Sequence, residues 1–124
     1  MKLKTIVAYW LPLFIYMSLI FYLSSLPNKS FNDINEGFGL DDSVEHFLEY
    51  SLLSILFLRV LKHHKKLYPR ITAVAFSTLY GISDEIHQLF VATRVFSFND
   101  IAFDLIGSLV AVIIFSLICQ RRKQ

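Results

Sequence analysis

RITAVAFSTLYGISDEIHQLF, residues 70–90, begins like the interior of a membrane helix and ends unlike one. Between Ile71 and Ile82 the run is apolar apart from hydroxyls and a glycine, and then Asp84, Glu85, His87 and Gln88 crowd into the next turn and a half. An ionised acid near the centre of a membrane helix costs about 2.5–3.5 kcal/mol, less towards the interface, so a group of them does not persist against lipid. It must face a hydrated cavity, a cation or other polar side chains. The rest of the chain should therefore supply both a membrane setting and polar partners.

Composition supplies the setting. The chain has 124 residues, is 55% hydrophobic and 15% aromatic, and has a mean hydropathy of +0.53. That is too apolar for a soluble domain of this size. Residues 5–26 hold no charge, and about twenty apolar residues span the hydrocarbon thickness as a helix. Lys2 and Lys4 before this run also resemble the basic start of a signal peptide, but the run is too long and lacks a small-x-small cleavage site. Three further spans fall at 44–61, 70–91 and 100–119, joined by segments too short to hide a soluble domain. The expected fold is all-α: a single membrane domain over residues 1–124, an integral membrane bundle of four transmembrane helices with sequential antiparallel neighbours. Pro12 should kink the first helix, and Trp10, Tyr16 and Tyr22 suit packing and interface anchoring. Cys119 is the only cysteine, which excludes an internal disulfide.

Charge sets the orientation. Lys2, Lys4, Arg59, Lys62, Lys65, Lys66, Arg70, Arg121, Arg122 and Lys123 fall on one side of this topology, and only Lys29 and Arg94 on the other. The positive-inside rule then places the N- and C-termini in the cytoplasm. These basic clusters suit topology determinants resting on anionic headgroups, and no nucleic-acid partner is implied. His63 and His64 belong to the same basic loop, a solvated setting rather than a metal site. The carboxylates Asp33, Glu36, Asp41, Asp42, Glu45, Glu49, Asp84, Glu85, Asp100 and Asp104 all lie outside the membrane or in the outer halves of helices. Topology selection does not require this, because acids contribute little to it.

Helical spacing shows what these acids can build. Asp42, Glu45, His46, Glu49 and Tyr50 share one face of the second span, and Asp84, His87 and Gln88, bordered by Glu85, share one of the third. Asp100, Asp104, Gly107 and Ala111 line up on the fourth, the small residues permitting close helix approach. At 1.5 Å per residue, Glu49 and Asp84 would lie roughly 10 Å below their helix ends. Some acids have a simpler role: Asp42 with Glu45, and Ser97 with Asp100, resemble capping boxes, and helix N-termini favour acids. Asp84 and Glu85 precede a helix C-terminus, where the dipole disfavours them. Arg94 is the one arginine on that side; it can pair with Asp84, Glu85 or Asp100, or hold an anionic headgroup through two parallel hydrogen bonds. His46 and His87 can bond an acid, ligate a metal, shuttle a proton or simply pack.

At this point a family resemblance emerges. SDEIHQLFVATRVFSFNDIAFDLIGSLVA resembles the signature of the VanZ-like membrane family, in which Asp-Glu, Gln-x-Phe, an Arg and Asp-x-x-x-Asn-x-x-Gly recur. Asp84, Glu85, Gln88, Phe90, Arg94, Asp100 and Gly107 match it. DSVEHFLEY is similar to the family's Asp-Lys-x-x-His-Phe-x-x-Tyr, through Asp42, His46 and Tyr50, and FYLSSLP to its usual end of the first helix. Ser43 stands in place of lysine, Ala92-Thr93 in place of Pro-Gly, and Asp104 in place of asparagine. The changes at 43 and 104 make the site more negative and favour a bound cation.

The resemblance implies a bacterial cell-envelope role, the name-giving member being linked to resistance to the glycopeptide antibiotic teicoplanin. Asn28-Lys29-Ser30 fits a glycosylation acceptor, but beside the membrane of a bacterial protein the match is chance. The foremost expectation is an outward-facing polar cavity, on the extracytoplasmic side of a multi-pass cell-membrane protein, that binds an envelope lipid headgroup or lipoglycopeptide. Its ligand-binding residues are Glu45, His46, Glu49, Tyr50, Asp84, Glu85, Gln88, Arg94, Asp100 and Asp104, and its partners the bilayer and a lipid-linked cell-wall precursor or lipoglycopeptide. One alternative is a hydrolase or transferase acting on a lipid-linked substrate, with Asp84, Glu85, His87 and His46 as catalytic candidates. Glu49, Asp84, Glu85, Asp100 and Asp104 would then hold a divalent cation such as Mg²⁺, Mn²⁺ or Zn²⁺. Another is a small ion-coupled transporter, against which stands the lack of acids in the cytoplasmic halves of the spans.

Overall fold

In the computed structural model, which describes residues 2–27 and 42–122, Pro12 shapes the first element. Proline has no N–H to give to the carbonyl four residues back, so a regular helix cannot run through it. Helix α1, Leu3–Ser24, accommodates this with a π-helical turn over Ile6–Trp10, where the Leu11 N–H bonds Ile6 O. The irregularity expected at Pro12 thus takes the form of a widened turn just before it.

Three helices follow: α2 at Asp42–His63, α3 at Pro69–Gln88 and α4 at Phe98–Arg121. Among the described residues there are four helices and no strand. Lys65 and Tyr68 adopt left-handed conformations (φ 50° and 54°) between α2 and α3, and Pro69 opens α3 at the position where its missing N–H costs nothing. The helices match the expected spans within a few residues, but α3 stops at Gln88 rather than near 91. Its last N–H groups bond three residues back, Leu89 to Ile86, Phe90 to His87 and Val91 to Gln88, which tightens the chain into a turn. Asp84 is therefore about 6 Å from the helix end and not 10 Å. Lys29, Asp33, Glu36, Asp41, Lys123 and the Asn28 acceptor pattern lie outside the described residues.

Helices α2, α3 and α4 pack against one another, and α1 lies along α2 with a lighter contact to α3. Gly107 permits the closest approach, because a Cβ there would collide with the Phe47 carbonyl of α2. The seam is polar where a soluble core would be oily. Ser51 donates to Gly107 O at 3.0 Å, Ser77 donates to the Tyr50 carbonyl at 3.3 Å, and the one Ser108 hydroxyl proton is shared between Ser77 Oγ at 2.9 Å and the Tyr50 carbonyl at 3.3 Å. Tyr16 and Tyr80 tie α1 down, donating to the carbonyls of Glu49 and Met17 at 3.2 and 2.7 Å. Tyr16 is thus a hydrogen-bonded clamp as well as a packing residue. His63 and His64 are exposed but not merely solvated: Tyr9 stacks on His63, and the Trp10 indole donates to His64 at 3.1 Å.

Outside, the polarity inverts. Phe14, Ile15, Leu52, Ile71, Leu79, Ile113 and Leu117 are all exposed, while Ser54, Ser77, Ser108, Glu85 and Asp104 have no exposure at all. Small and hydroxyl side chains in the helix seams with apolar ones outside are what lipid as solvent demands. α1 and α4 are long and apolar enough to cross a membrane. The polar residues that α2 and α3 turn inward keep them below that mark. The described residues are all-helical, and the two apolar helices point to membrane association.

Candidate functional site

At the ends of α2 and α3 and the start of α4 a polar cavity of about 330 Å³ opens. Glu45, His46 and Glu49 from α2, Asp84 and Gln88 from α3, Arg94 from the connection, and Asp100 from α4 line it. Asp42 and Ser43 add to the mouth, where Asn99 donates to the Ser43 hydroxyl at 3.0 Å. Asp42 opens α2, and its carboxylate in the first turn suits the positive end of the helix dipole. Whether Asp42 caps the helix with Glu45 depends on residues before it that lie outside the described ones.

Beneath the cavity the three polar faces meet at one imidazole. His46 is 8% exposed. Its Nδ1 lies 2.9 Å from Asp104 Oδ1, and because a carboxylate only accepts, the proton of that bond belongs to Nδ1. Nε2 then faces Glu85 Oε1 at 3.7 Å and Asp100 Oδ2 at 3.9 Å. Tyr50 stacks on the imidazole, centroids 6.0 Å apart and planes 8° from parallel, and is itself fully buried. Gly81 makes room on α3: a Cβ there would run into the Asp104 carboxylate and press on Tyr50.

The capping box expected from Ser97 and Asp100 is only half made. Ser97 caps α4 by accepting from the Asp100 N–H at 3.2 Å, but the reciprocal bond to the Ser97 N–H comes from Glu85 Oε2 of α3, at 2.8 Å. The Asp100 carboxylate is thereby left to the cavity. Glu85, placed in the last turn of α3 where the helix dipole opposes it, is held by the start of α4. Its other oxygen, Oε1, is buried without a hydrogen-bond partner, as is Asp104 Oδ2. Asp84, 5% exposed, accepts from the Gln88 amide at 3.3 Å, and Arg94 Nε donates to the Leu26 carbonyl at 3.2 Å, tying the connection to the end of α1.

Most of the residues singled out in the sequence thus converge. Glu45, His46, Glu49, Asp84, Gln88, Arg94 and Asp100 line one cavity, with Tyr50, Glu85 and Asp104 directly below. His87 is apart from the lining: it pairs with Ser25 Oγ at 2.9 Å and packs its ring on Phe21 of α1. His46, Glu85 and Asp100 place one donor atom each within 4.8 Å of the others, so they are the described residues best arranged to hold a metal. Glu49 and Asp84, also metal candidates by sequence, lie outside that trio, and Asp104 reaches it only through His46. Gly81 was not anticipated, although it had a signal, a glycine one turn before Asp84 and Glu85 on the same helical face.

The order of these residues along three helices is that of the resemblance, and the VanZ/LLP1 family model matches residues 7–119. The chain belongs to the VanZ/LLP1 family. The match runs from α1 to α4, so it takes in the whole polar cluster. No curated protein and no solved structure matches the chain. Just before Arg94, Thr93 has φ 69°, a left-handed conformation that disfavours a β-branched side chain.

Proposed function

We propose that the chain is a bacterial cell-envelope protein that crosses the membrane four times with both termini in the cytoplasm. Its cavity faces outward and binds the polar headgroup of an envelope lipid or a lipoglycopeptide, and through this it affects susceptibility to teicoplanin-type antibiotics. The observation that carries this reading is a polar cavity, rimmed by acids and one arginine, in a molecule whose exterior is apolar. A volume of about 330 Å³ lies at the small end of the roughly 300–1,000 Å³ of ligand sites, so it suits a headgroup with the chain left in lipid. Arg94 at the wall places a guanidinium, a group suited to carboxylate or phosphate, among the acids. The surrounding carboxylates favour an amine-bearing or cation-bridged ligand.

Teicoplanin and vancomycin susceptibility of a sensitive Gram-positive host tests this, with wild type, Asp84→Asn and Arg94→Ala at matched membrane abundance. Protection by the wild type that both variants lose is the expected result. Protection that both retain refutes the cavity's role, and no protection from the wild type refutes the antibiotic role. A metal-dependent hydrolase or transferase is the second reading, favoured by the grouping of His46, Glu85 and Asp100. Ion-coupled transport has no such support, since every carboxylate among the described residues lies at the cavity end.

A further inference from the structure

The distances around His46 Nε2 pose a chemical problem. With the Nδ1 proton given to Asp104, a neutral imidazole presents a lone pair at Nε2 to two carboxylate oxygens, 3.7 and 3.9 Å away. Three acceptors facing one another repel unless something positive lies between them. A proton on Nε2 gives two long ion pairs but no hydrogen bond, because both oxygens lie beyond the roughly 2.7–3.2 Å of an N–H···O bond. A metal ion satisfies all three donor atoms at once. Donors bound at about 2.0–2.2 Å around one cation sit roughly 3–4 Å from each other. A second, independent feature points the same way: Glu85 is completely buried, its Oε2 is used by the Ser97 N–H, and its Oε1 has no hydrogen-bond partner.

We propose that His46 Nε2, Glu85 Oε1 and Asp100 Oδ2 bind one divalent transition-metal cation, Zn²⁺ or Mn²⁺, at the floor of the cavity. One imidazole and two carboxylates suit these ions better than Mg²⁺ or Ca²⁺, which favour all-oxygen sites. Asp104 serves as the orienting carboxylate, fixing the ring and its tautomer as outer partners of metal-bound histidines do. Tyr50 backs the ring, and Gly81 leaves the space that Asp104 occupies. His46 and Asp100 line the cavity, so coordination positions not filled by protein face the ligand. A phosphate oxygen filling one of them would explain how a cavity so rich in acids accepts an anionic headgroup, a step that rests on the function proposed above. Metal binding itself does not rest on it.

The test uses full-length protein without a polyhistidine tag, stripped with chelator in detergent and free of added lipid. Zn²⁺ and Mn²⁺ are titrated and bound metal is measured by elemental analysis, with Mg²⁺ as comparator. The wild type should retain one equivalent of Zn²⁺ or Mn²⁺, and the bound Mn²⁺ should show nitrogen coupling from imidazole in its electron paramagnetic resonance spectrum. Glu85→Gln and Asp100→Asn should each weaken binding at least about ten-fold, and Asp104→Asn, which keeps the hydrogen bond but not the charge, by about ten-fold or more. Asp100 is partly exposed at the cavity, so its variant decides the matter if Glu85→Gln fails to fold. The exposed His63 and His64 are the adventitious site to control for. Metal kept by His63→Ala/His64→Ala and lost by Asp100→Asn supports the proposal. The reverse pattern, or no stoichiometric metal in the wild type, overturns it. Because lipid is absent throughout, failure here leaves the susceptibility result to stand or fall separately.

Discussion

His46 is the one imidazole set among Asp104, Asp100 and Glu85, and its removal should be felt more than any other change in the site. Breaking a buried charge-bearing pair from one side costs about 3–5 kcal/mol, because the remaining group is left buried without compensation. His46→Ala, which strands the Asp104 carboxylate, should destabilise on that scale, Asp104→Ala, which strands a neutral imidazole, by less, and the double variant by clearly less than their sum. Thermal unfolding of the four forms in detergent micelles checks this, and strict additivity would mean that the 2.9 Å contact carries no energy. The sequence made His46 and Asp104 candidates by placing each on the polar line of its helix. It could not pair them, since helical spacing says which residues share a face but not which faces meet at what height. Nor could it divert His87, whose spacing matches that of Asp84 but whose ring is drawn to Ser25 and Phe21 of α1.

At the scale of elements, two close approaches, at Gly81 and Gly107, and one strained turn, at Thr93, lie next to the polar cluster or its connection. Gly107→Ala should push α4 off α2, because the added methyl meets the Phe47 carbonyl, a backbone atom that cannot rotate away. A loss of about 1–3 kcal/mol, the usual cost of overpacking, is expected in the same unfolding measurement. Thr93→Gly should act in the opposite sense. Relief of a left-handed threonine is worth about 1–2 kcal/mol, against which stand glycine's extra chain entropy, about 0.5–1 kcal/mol, and the loss of the contact the threonine makes, leaving at most a modest gain. A lower melting temperature for Thr93→Gly would show that the threonine side chain contributes more to the turn than its backbone strain costs. Helix existence was legible from apolar runs and Pro/Gly punctuation, whereas the end of α3 at Gln88 was not. The sequence stays helix-compatible to Val91, and only the turn into Arg94 and the Glu85 bond to the α4 cap end it there. The serine seam was equally hidden, because Ser51, Ser54, Ser77 and Ser108 look unremarkable singly and become a structural feature only when three helices bring them together.

For the whole molecule, polar helix seams and an apolar exterior follow from one solvent requirement. Among the described residues the carboxylates are gathered at one end, with Arg94, and the other arginines and the lysines lie towards the opposite end. The distribution of charge was open to inspection in the sequence, and so was the family. What that reading lacked was the division of the acids between those that line the cavity and those, Glu85 and Asp104, that lie beneath it around His46. A site for an envelope lipid requires above all that the cavity face out of the cell. Val95 at its mouth is 79% exposed, and Lys66 is exposed in the basic connection at the opposite end. In a Cys119→Ser background, Val95→Cys and Lys66→Cys can be labelled in intact cells with a membrane-impermeant maleimide. Labelling of Val95→Cys in intact cells, and of Lys66→Cys only after the membrane is opened, is the expected result; the opposite pattern would place the cavity in the cytoplasm and contradict the proposed function.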